Sequence, residues 1–480
     1  MSMPGVRCSR RYPLAVARLT ATATLAVALS ACSLAVKRDA ATPAVPLPAG
    51  FSQTGDSTLS AQWWQSFSDP QLDTLIDGML QRNFSLRAAW DRLDQAAALA
   101  RKAGADFYPT LDASASATRN VAHSVATVRT NQFTAGLGAA YEVDLWGKVR
   151  SSAQAAELDR QATAAQLQTA ALTLAAQLAT TWYQLAEQLA LVELLHQQLD
   201  TNRKVLELIE VRFRHGSAGA VDVLQQRQLV ESNRGDLADT QARVAVLRHQ
   251  LAVLLGEPAG ADGLSESARA SLVEVPALPV TGVPAQQLQQ RPDVRQGWLS
   301  LLAADQRVAV AIADRFPRLS LTGSATSSSD EARDLFNDWL SNLSANLLLP
   351  VIDGGRRRAE VDSRRAAAAE ALDNYRQTLV QAFAEVEDAL VQERQQRAFV
   401  ASVDKQLRLS TLAISRLRES YRNGAVDYLR VLTALLSKQS LERTQIQARR
   451  QLIEFRIRLY RALAGGWQPP RPPLALRDGP

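Results

Sequence analysis

Cys32 is the residue with the clearest chemistry. It closes Leu29-Ser30-Ala31-Cys32, behind a short apolar run over residues 19–29 and a basic stretch, residues 1–18, with four arginines and no acid. Charge, apolar run and small residues in that order make a bacterial secretory signal. The tetrapeptide resembles a lipobox, in which the cysteine becomes the first mature residue and carries acyl chains, and several chains hold a protein on a bilayer far better than one; the alternative is a chance cysteine after the signal. A second group, Asp353-Gly354-Gly355 before Arg356, Arg357 and Arg358, could cradle phosphate, but it lacks the P-loop spacing. Three arginines at a helix start oppose the macrodipole and suit anionic inner-leaflet headgroups. His123, His196, His215 and His249 stand singly, without a carboxylate or cysteine cluster, so no metal is expected. No nucleophile elbow, Cys/His pair or acid dyad is present, which argues against an enzyme and against a cofactor.

Composition narrows the class. The chain has 480 residues, 46% hydrophobic and 21% charged, enough to bury a large core. Its formal charge is +6, but Arg7, Arg10, Arg11 and Arg18 leave with the signal, so the mature balance is about +2. That excludes the basic footprint of a nucleic-acid binder. Two cysteines exclude a disulfide framework. No later apolar run reaches the ~18–20 residues of a membrane-spanning helix.

The elements that must position any site occur twice. At an offset of 208 residues, Pro109-Thr110-Leu111 meets Pro317-Arg318-Leu319, and Gly147-Lys148 meets Gly355-Arg356. At the same offset Phe213-Arg214-His215-Gly216 meets Tyr421-Arg422-Asn423-Gly424. Each half therefore reads as one structural unit. Period-two alternation predicts strands over about 110–118 and 132–145, then about 318–326 and 339–352, with polar loops at 119–131 and 327–337. Tyr108, Tyr141, Trp146, Phe316, Phe336 and Trp339 flank them, the weak signature of an outer-membrane barrel. Residues 151–215 and 356–423 contain neither glycine nor proline, and their apolar spacing is close to 3.5. Leu195, Leu199, Leu206, Ile209 and Phe213 form one seam, and Val403, Leu407, Ile414, Leu417 and Tyr421 the other. Both describe long coiled-coil helices, with Gly216 and Gly424 at the hairpin bends.

The resulting organisation is a signal at 1–31, a lipidated tether at 32–60, a first repeat at 61–260 and a linker at 261–290. A second repeat at 291–467 and a Pro-rich tail at 468–480 complete it, with hairpin tips at 213–219 and 421–427. Four strands cannot close a barrel, yet every strand edge in a bilayer must be paired. Three copies supply twelve strands and a lumen.

The chain resembles the TolC-type outer-membrane factors, in particular the lipidated NodT/OprM branch of RND efflux systems. The resemblance rests on Trp63-Trp64 with Phe67, Asp69-Pro70 and Leu72, and on Tyr141-Glu142-Val143-Asp144-Leu145-Trp146-Gly147-Lys148-Val149-Arg150. It rests also on Arg291-Pro292-Asp293-Val294-Arg295 and on Leu349-Pro350-Val351-Ile352-Asp353-Gly354-Gly355-Arg356. It implies a mainly helical homotrimer, with a twelve-stranded β-barrel in outer-membrane lipid continued by a periplasmic α-barrel. It also implies a mixed belt formed by the termini and the segment between the repeats. The implied function is a passive exit channel, fed by an inner-membrane RND pump through a periplasmic membrane-fusion adaptor docked on the tips. The family's tip latch maps onto Asp222 and Tyr421; Val426 stands where its arginine would be, leaving Arg430 and Arg422 as substitutes. Constriction aspartates of some members are here Arg430 and Thr433, which leaves Asp427 as the nearby acid. Two other readings stand beside this one: a type I protein-secretion duct, and a non-pore periplasmic coiled-coil scaffold.

Overall fold

The computed structural model describes residues 45–58, 60–123, 127–260, 270–465 and 467–471. Cys32, the signal at 1–31, about half of the tether, part of the linker and most of the C-terminal tail lie outside the described residues. Two compact units divide the chain.

The first unit contains Asp94–Ala162 and Trp298–Asn374. It holds β1 (Thr110–His123), β2 (Thr127–Val143), β3 (Arg318–Ser329) and β4 (Leu340–Leu348), an antiparallel sheet in the order β1-β2-β3-β4. The register gives the sheet two unlike faces. Leu111, Ala139, Gly323 and Leu343 align across the four strands, as do Ala113, Leu137, Ala325 and Ser341. Tyr141 aligns with Leu321 and Ala345, and Val143 with Leu319 and Leu347. The opposite face carries Asp112, Gly138, Ser324 and Asn342 in one row, and Thr110, Ala140, Thr322 and Ser344 in another. Leu340 and Leu348, at the ends of β4, are leucines on this otherwise mostly polar face. The apolar face is bare: Leu343 is 85% exposed and Leu111 70%.

The strands run further than alternation predicts. Residues 119–131, expected as a polar loop, pair as Arg119↔Asn131, Val121↔Arg129 and His123↔Thr127. Backbone pairing needs no apolar alternation, and the β-branched Val121, Thr127, Val128 and Thr130 favour extended backbone. His123 thus ends a strand instead of lying in a loop. Likewise β3 runs to Ser329, while β2 ends at Val143 and β4 at Leu348, short of the predicted 145 and 352. Pro350 and the positive-φ Gly354 and Gly355 close off the last strand.

Carboxylates make both strand-to-helix joints. Asp144 accepts from the Val149 and Arg150 amides at 3.0 Å. Asp353 accepts from Gly355 (3.0 Å) and Arg357 (3.2 Å). These bonds satisfy amides that a helix start leaves without intrahelical partners. Trp146 stacks on Phe316 at 4.9 Å and donates to the Pro317 carbonyl at 2.8 Å. The helices that follow, α3 (Lys148–Arg214) and α7 (Arg356–Arg422), have 67 residues each. The phosphate-nest reading of the second joint loses its central arginine, because Arg357 is bonded to Asp353 and to the Asp314 carbonyl.

The second unit contains Pro43–Leu93, Thr163–Gly297 and Tyr375 onward. α1 (Pro70–Arg82) begins at Asp69, which caps Gln71 and Leu72 and takes the Trp182 indole at 2.8 Å. Leu72, Ile76, Met79 and Leu80 bury one stripe of that helix. α2 (Phe84–Ala105) follows, then α3 and α4 (Ala220–Leu255); α5 (Pro284–Gln290) and α6 (Pro292–Ala313) precede α7 and α8 (Tyr428–Leu463). Trp63 and Trp64 are fully buried; Trp64 meets Trp467 at 5.3 Å, and Phe67 packs on Tyr183 and Tyr460. They serve as packing anchors. The segment around 276–281, between the repeats, is fixed from two sides. Gly55 and Ser57 bond to Pro279 and Leu278, and a Cβ at Gly55 would lie 1.9 Å from the Leu278 oxygen. Arg456, 0% exposed, takes Glu393 bidentately at 2.8 and 2.6 Å and donates to the Pro276 and Ala277 carbonyls.

Glu393→Gln leaves the buried Arg456 charge uncompensated. The variant should lose about 3–5 kcal/mol of stability, read as a lowered midpoint in circular-dichroism denaturation of the purified chain.

Candidate functional site

The tips are built by two different glycine-terminated helices of the same design. At the first, Gly216 (φ +73°) donates to the Phe213 carbonyl and Ser217 reaches back to Arg212 at 2.8 Å. At the second, Gly424 (φ +75°) donates to Tyr421 and Ala425 reaches back to Ser420 at 2.9 Å. Both glycines occupy the left-handed conformation that reverses a helix. The returning helices start with acidic caps. The Gly219 amide donates to Asp222 at 3.0 Å, and Asp427 accepts from the Arg430 amide at 3.1 Å.

These caps bear directly on the four candidate gate residues. Asp222 is engaged on its own helix start, and no hydrogen bond joins it to Tyr421 among the described residues. Tyr421 instead lies under the Arg212 guanidinium at 4.4 Å and against the Tyr428 ring at 6.1 Å. Arg430 and Asp427 are exposed and share only the backbone cap. The structure therefore gathers Asp222, Tyr421, Asp427 and Arg430 at one end of the hairpins without pairing them within the chain.

The interhelical polar contacts that are made lie one layer deeper, and sequence reading missed them. The Tyr428 hydroxyl donates to the Gln226 side-chain oxygen, and Gln226 donates to the Asn202 carbonyl at 2.7 Å. Asn202 and Gln439 exchange amide hydrogen bonds at 3.3 and 3.0 Å, and Gln198 reaches Glu442 at 2.9 Å. Asn202 and Gln226 are fully buried. Burial pushes the Tyr428 phenol up, with Tyr421 and Asp222 adding to the shift, so it stays protonated and donates at neutral pH. Around this ladder pack Ile209, Val223, Leu229, Ile414, Val431, Leu432 and Leu435. The one available sequence signal was polar residues at seam positions of otherwise apolar helices. Outside the core, Phe213, Val221, Leu224 and Leu429 remain exposed near the two bends.

The arrangement supplies no nucleophile or acid–base pair, and no group of three or more ligating side chains occurs among the described residues. What it offers is a sheet with one polar and one apolar face, and helical hairpins whose ends carry exposed apolar and charged side chains. Tyr428→Phe removes the donor to a buried oxygen. It should cost about 1–3 kcal/mol locally, seen as faster amide hydrogen exchange over residues 223–232 and 428–440 with the rest of the chain unchanged.

Comparison with known proteins agrees with this geometry. The family model described as "Outer membrane efflux protein" matches residues 75–257 and 283–465, one segment for each repeat. The pyoverdine export outer membrane protein OpmQ of Pseudomonas aeruginosa is 35% identical over 453 residues, covering 90% of this chain and 92% of that protein. The cation efflux system protein CusC of Escherichia coli (strain K12) is 30% identical, covering 92% and 98%. The solved structure of the outer-membrane channel OprN superposes with a TM-score of 0.84 at 27% identity, over 91% of this chain and all of that one. That of CusC gives 0.80 at 28%, with the same coverage. The chain is a member of the outer membrane efflux protein family and acts as an efflux channel of the outer membrane.

Proposed function

We propose that three copies assemble into one duct, each contributing its four strands to a twelve-stranded barrel and its two long hairpins to a periplasmic helical tube. The observation that carries this is the sheet itself. Among the described residues β1 and β4 are unpaired on their outer sides, and Leu111, Leu137, Leu321, Leu343 and Leu347 stand exposed on the apolar face. Unpaired amides in hydrocarbon cost several kcal/mol each, so both edges need a partner strand. Two copies would give eight strands, whose interior side chains fill the lumen; three copies leave a passage. Serine, threonine, asparagine and glycine on the polar face would line it, and the leucines would face lipid.

The duct is passive, because the chain carries no nucleotide-binding motif. The driving force belongs to an inner-membrane RND pump, reached through a periplasmic membrane-fusion adaptor. The turns at 213–219 and 421–427, with Gly216 and Gly424 at their bends, are the docking surface we assign to that adaptor. Exposed Phe213, Val221, Leu224 and Leu429 support the assignment. We assign the closing contacts to Asp222, Tyr421, Asp427 and Arg430; among the described residues no side-chain hydrogen bond or ion pair joins these four to one another across helices. Cys32 anchors each copy to the membrane by its acyl chains. Relatives named for export of pyoverdine, cations and toluene support a small-molecule cargo.

Purified full-length protein should behave as a detergent-stable trimer and give stepwise conductance in planar bilayers; a single-chain particle without conductance would overturn the assembly. Gly424→Pro should abolish export in cells while the trimer still forms, and normal export would refute the tip assignment. Asp222→Ala should raise conductance or antibiotic leakage, and unchanged permeability would remove it from the gate.

A further inference from the structure

Beyond Phe133 only the β1–β2 hairpin continues. β3 pairs β2 no further than Phe133↔Ser329, whereas β1 and β2 stay paired to His123↔Thr127. On the face that carries the apolar rows, this extension sets Arg119, Val121 and His123 opposite Asn131, Arg129 and Thr127. Arg119 and Arg129 are therefore diagonal neighbours, with backbones ~7–8 Å apart. Both are exposed, and neither forms an ion pair among the described residues. The other face is neutral at the same level, carrying Thr118, Asn120 and Ala122 opposite Gln132, Thr130 and Val128. The acids of these two strands, Asp112 and Glu142, stand on that neutral face at the far end of the sheet.

The position along the strand is as informative as the charge. From Tyr141 to Phe133 the apolar face of β2 spans about 27 Å at ~3.4 Å per residue, or ~20 Å upright at the usual barrel tilt. Arg119 and Arg129 follow directly, where hydrocarbon gives way to headgroups. Arginine stems lie along apolar surface while their heads stay in the polar layer, and a guanidinium takes a phosphate through two parallel hydrogen bonds.

We propose that Arg119 and Arg129 form a binding site for the phosphate groups of an anionic phosphorylated lipid in the outer leaflet, seated on the apolar side of the extended hairpin. The proposal rests on the barrel reading above, which turns that face toward lipid. The diagonal placement of the two arginines suits a headgroup with two phosphates, one for each arginine. His123, one row further out on the same face, lies at the rim of the site. The competing occupant is the acidic β3–β4 loop of a neighbouring copy, with Asp330, Glu331, Asp334 and Asp338. Within its own chain that loop already pairs Arg333 with Glu331 at 2.6 Å and Asp334 at 3.5 Å. The shared face with the apolar rows favours lipid.

The test uses the full chain in phosphatidylcholine nanodiscs doped with a bis-phosphorylated glycolipid, with its dephosphorylated analogue, or with inorganic phosphate in the buffer. Native mass spectrometry counts the glycolipid retained per particle. The bis-phosphorylated lipid should be retained by the wild type, about fivefold less by Arg119→Gln or Arg129→Gln, and about thirtyfold less by the double variant. The dephosphorylated lipid should not discriminate among them. Equal retention by the wild type and the double variant, with conductance intact, overturns the site and leaves the channel standing. Displacement of the lipid by millimolar phosphate assigns the arginines to free phosphate and overturns the lipid. Dissociation of the double variant into single chains, with retention per particle unchanged, assigns them to the neighbouring copy. A wild type that conducts in none of these membranes removes the barrel reading and the site with it.

Discussion

A backbone amide left without a partner in hydrocarbon costs several kcal/mol, and a four-stranded meander presents a whole row of them at each edge. β1 and β4 form those edges, while β2 and β3, one from each repeat, pair in the middle. The duplication thus joins its two hairpins into one sheet but does not close it. The bare leucines of the apolar face add a second demand, because such a surface is stable only against lipid or another apolar layer. The assembly proposed above answers both demands, with the apolar face toward lipid and the open edges paired to further copies. In that assembly the polar face is left to line a passage, a role that calls for no catalytic group.

Several acidic residues of this chain start helices or hold buried arginines. Asp69, Asp144, Asp222, Asp353 and Asp427 all accept from backbone amides at helix starts. Glu393 neutralises Arg456, while Asp293 and Glu385 neutralise Arg291, itself bonded to the Ala462 carbonyl. The Asp293 carboxyl is pushed up by burial, but the Arg291 hydrogen bonds and charge outweigh that and hold it below the usual range. It therefore contributes stability at neutral pH that is lost as pH falls through its depressed value. The apparent gate acids near the bends are part of the same economy of caps.

Much of this was legible beforehand, because it follows from local pattern. Period-two alternation marked all four strands, a glycine-free and proline-free stretch marked each long helix, and the 208-residue offset tied Gly216 to Gly424. The strand ends at 119–131 were missed because pairing with a close neighbour in sequence overrides side-chain polarity. The Tyr428–Gln226–Asn202–Gln439 ladder was missed for a different reason. Its members lie up to 237 residues apart, and only the fold shows that they meet. Asp222 reads by analogy as one member of a tip latch that also includes Tyr421; within the chain it accepts from the amide of Gly219, three residues away. Local capping competes with any long-range role a short acidic side chain might be given.

The ladder and the clamp at 276–277 together mean that an ancestral doubling has become indivisible. Asn202 and Gln198 from one half are completed by Gln439 and Glu442 from the other, and Glu187 is completed by Arg450. Either half expressed alone would strand buried amides and charges in an apolar interior, each with its own desolvation penalty. The helical unit is thus committed to unfolding in a single cooperative step, and neither half can drift or be exchanged as a free module.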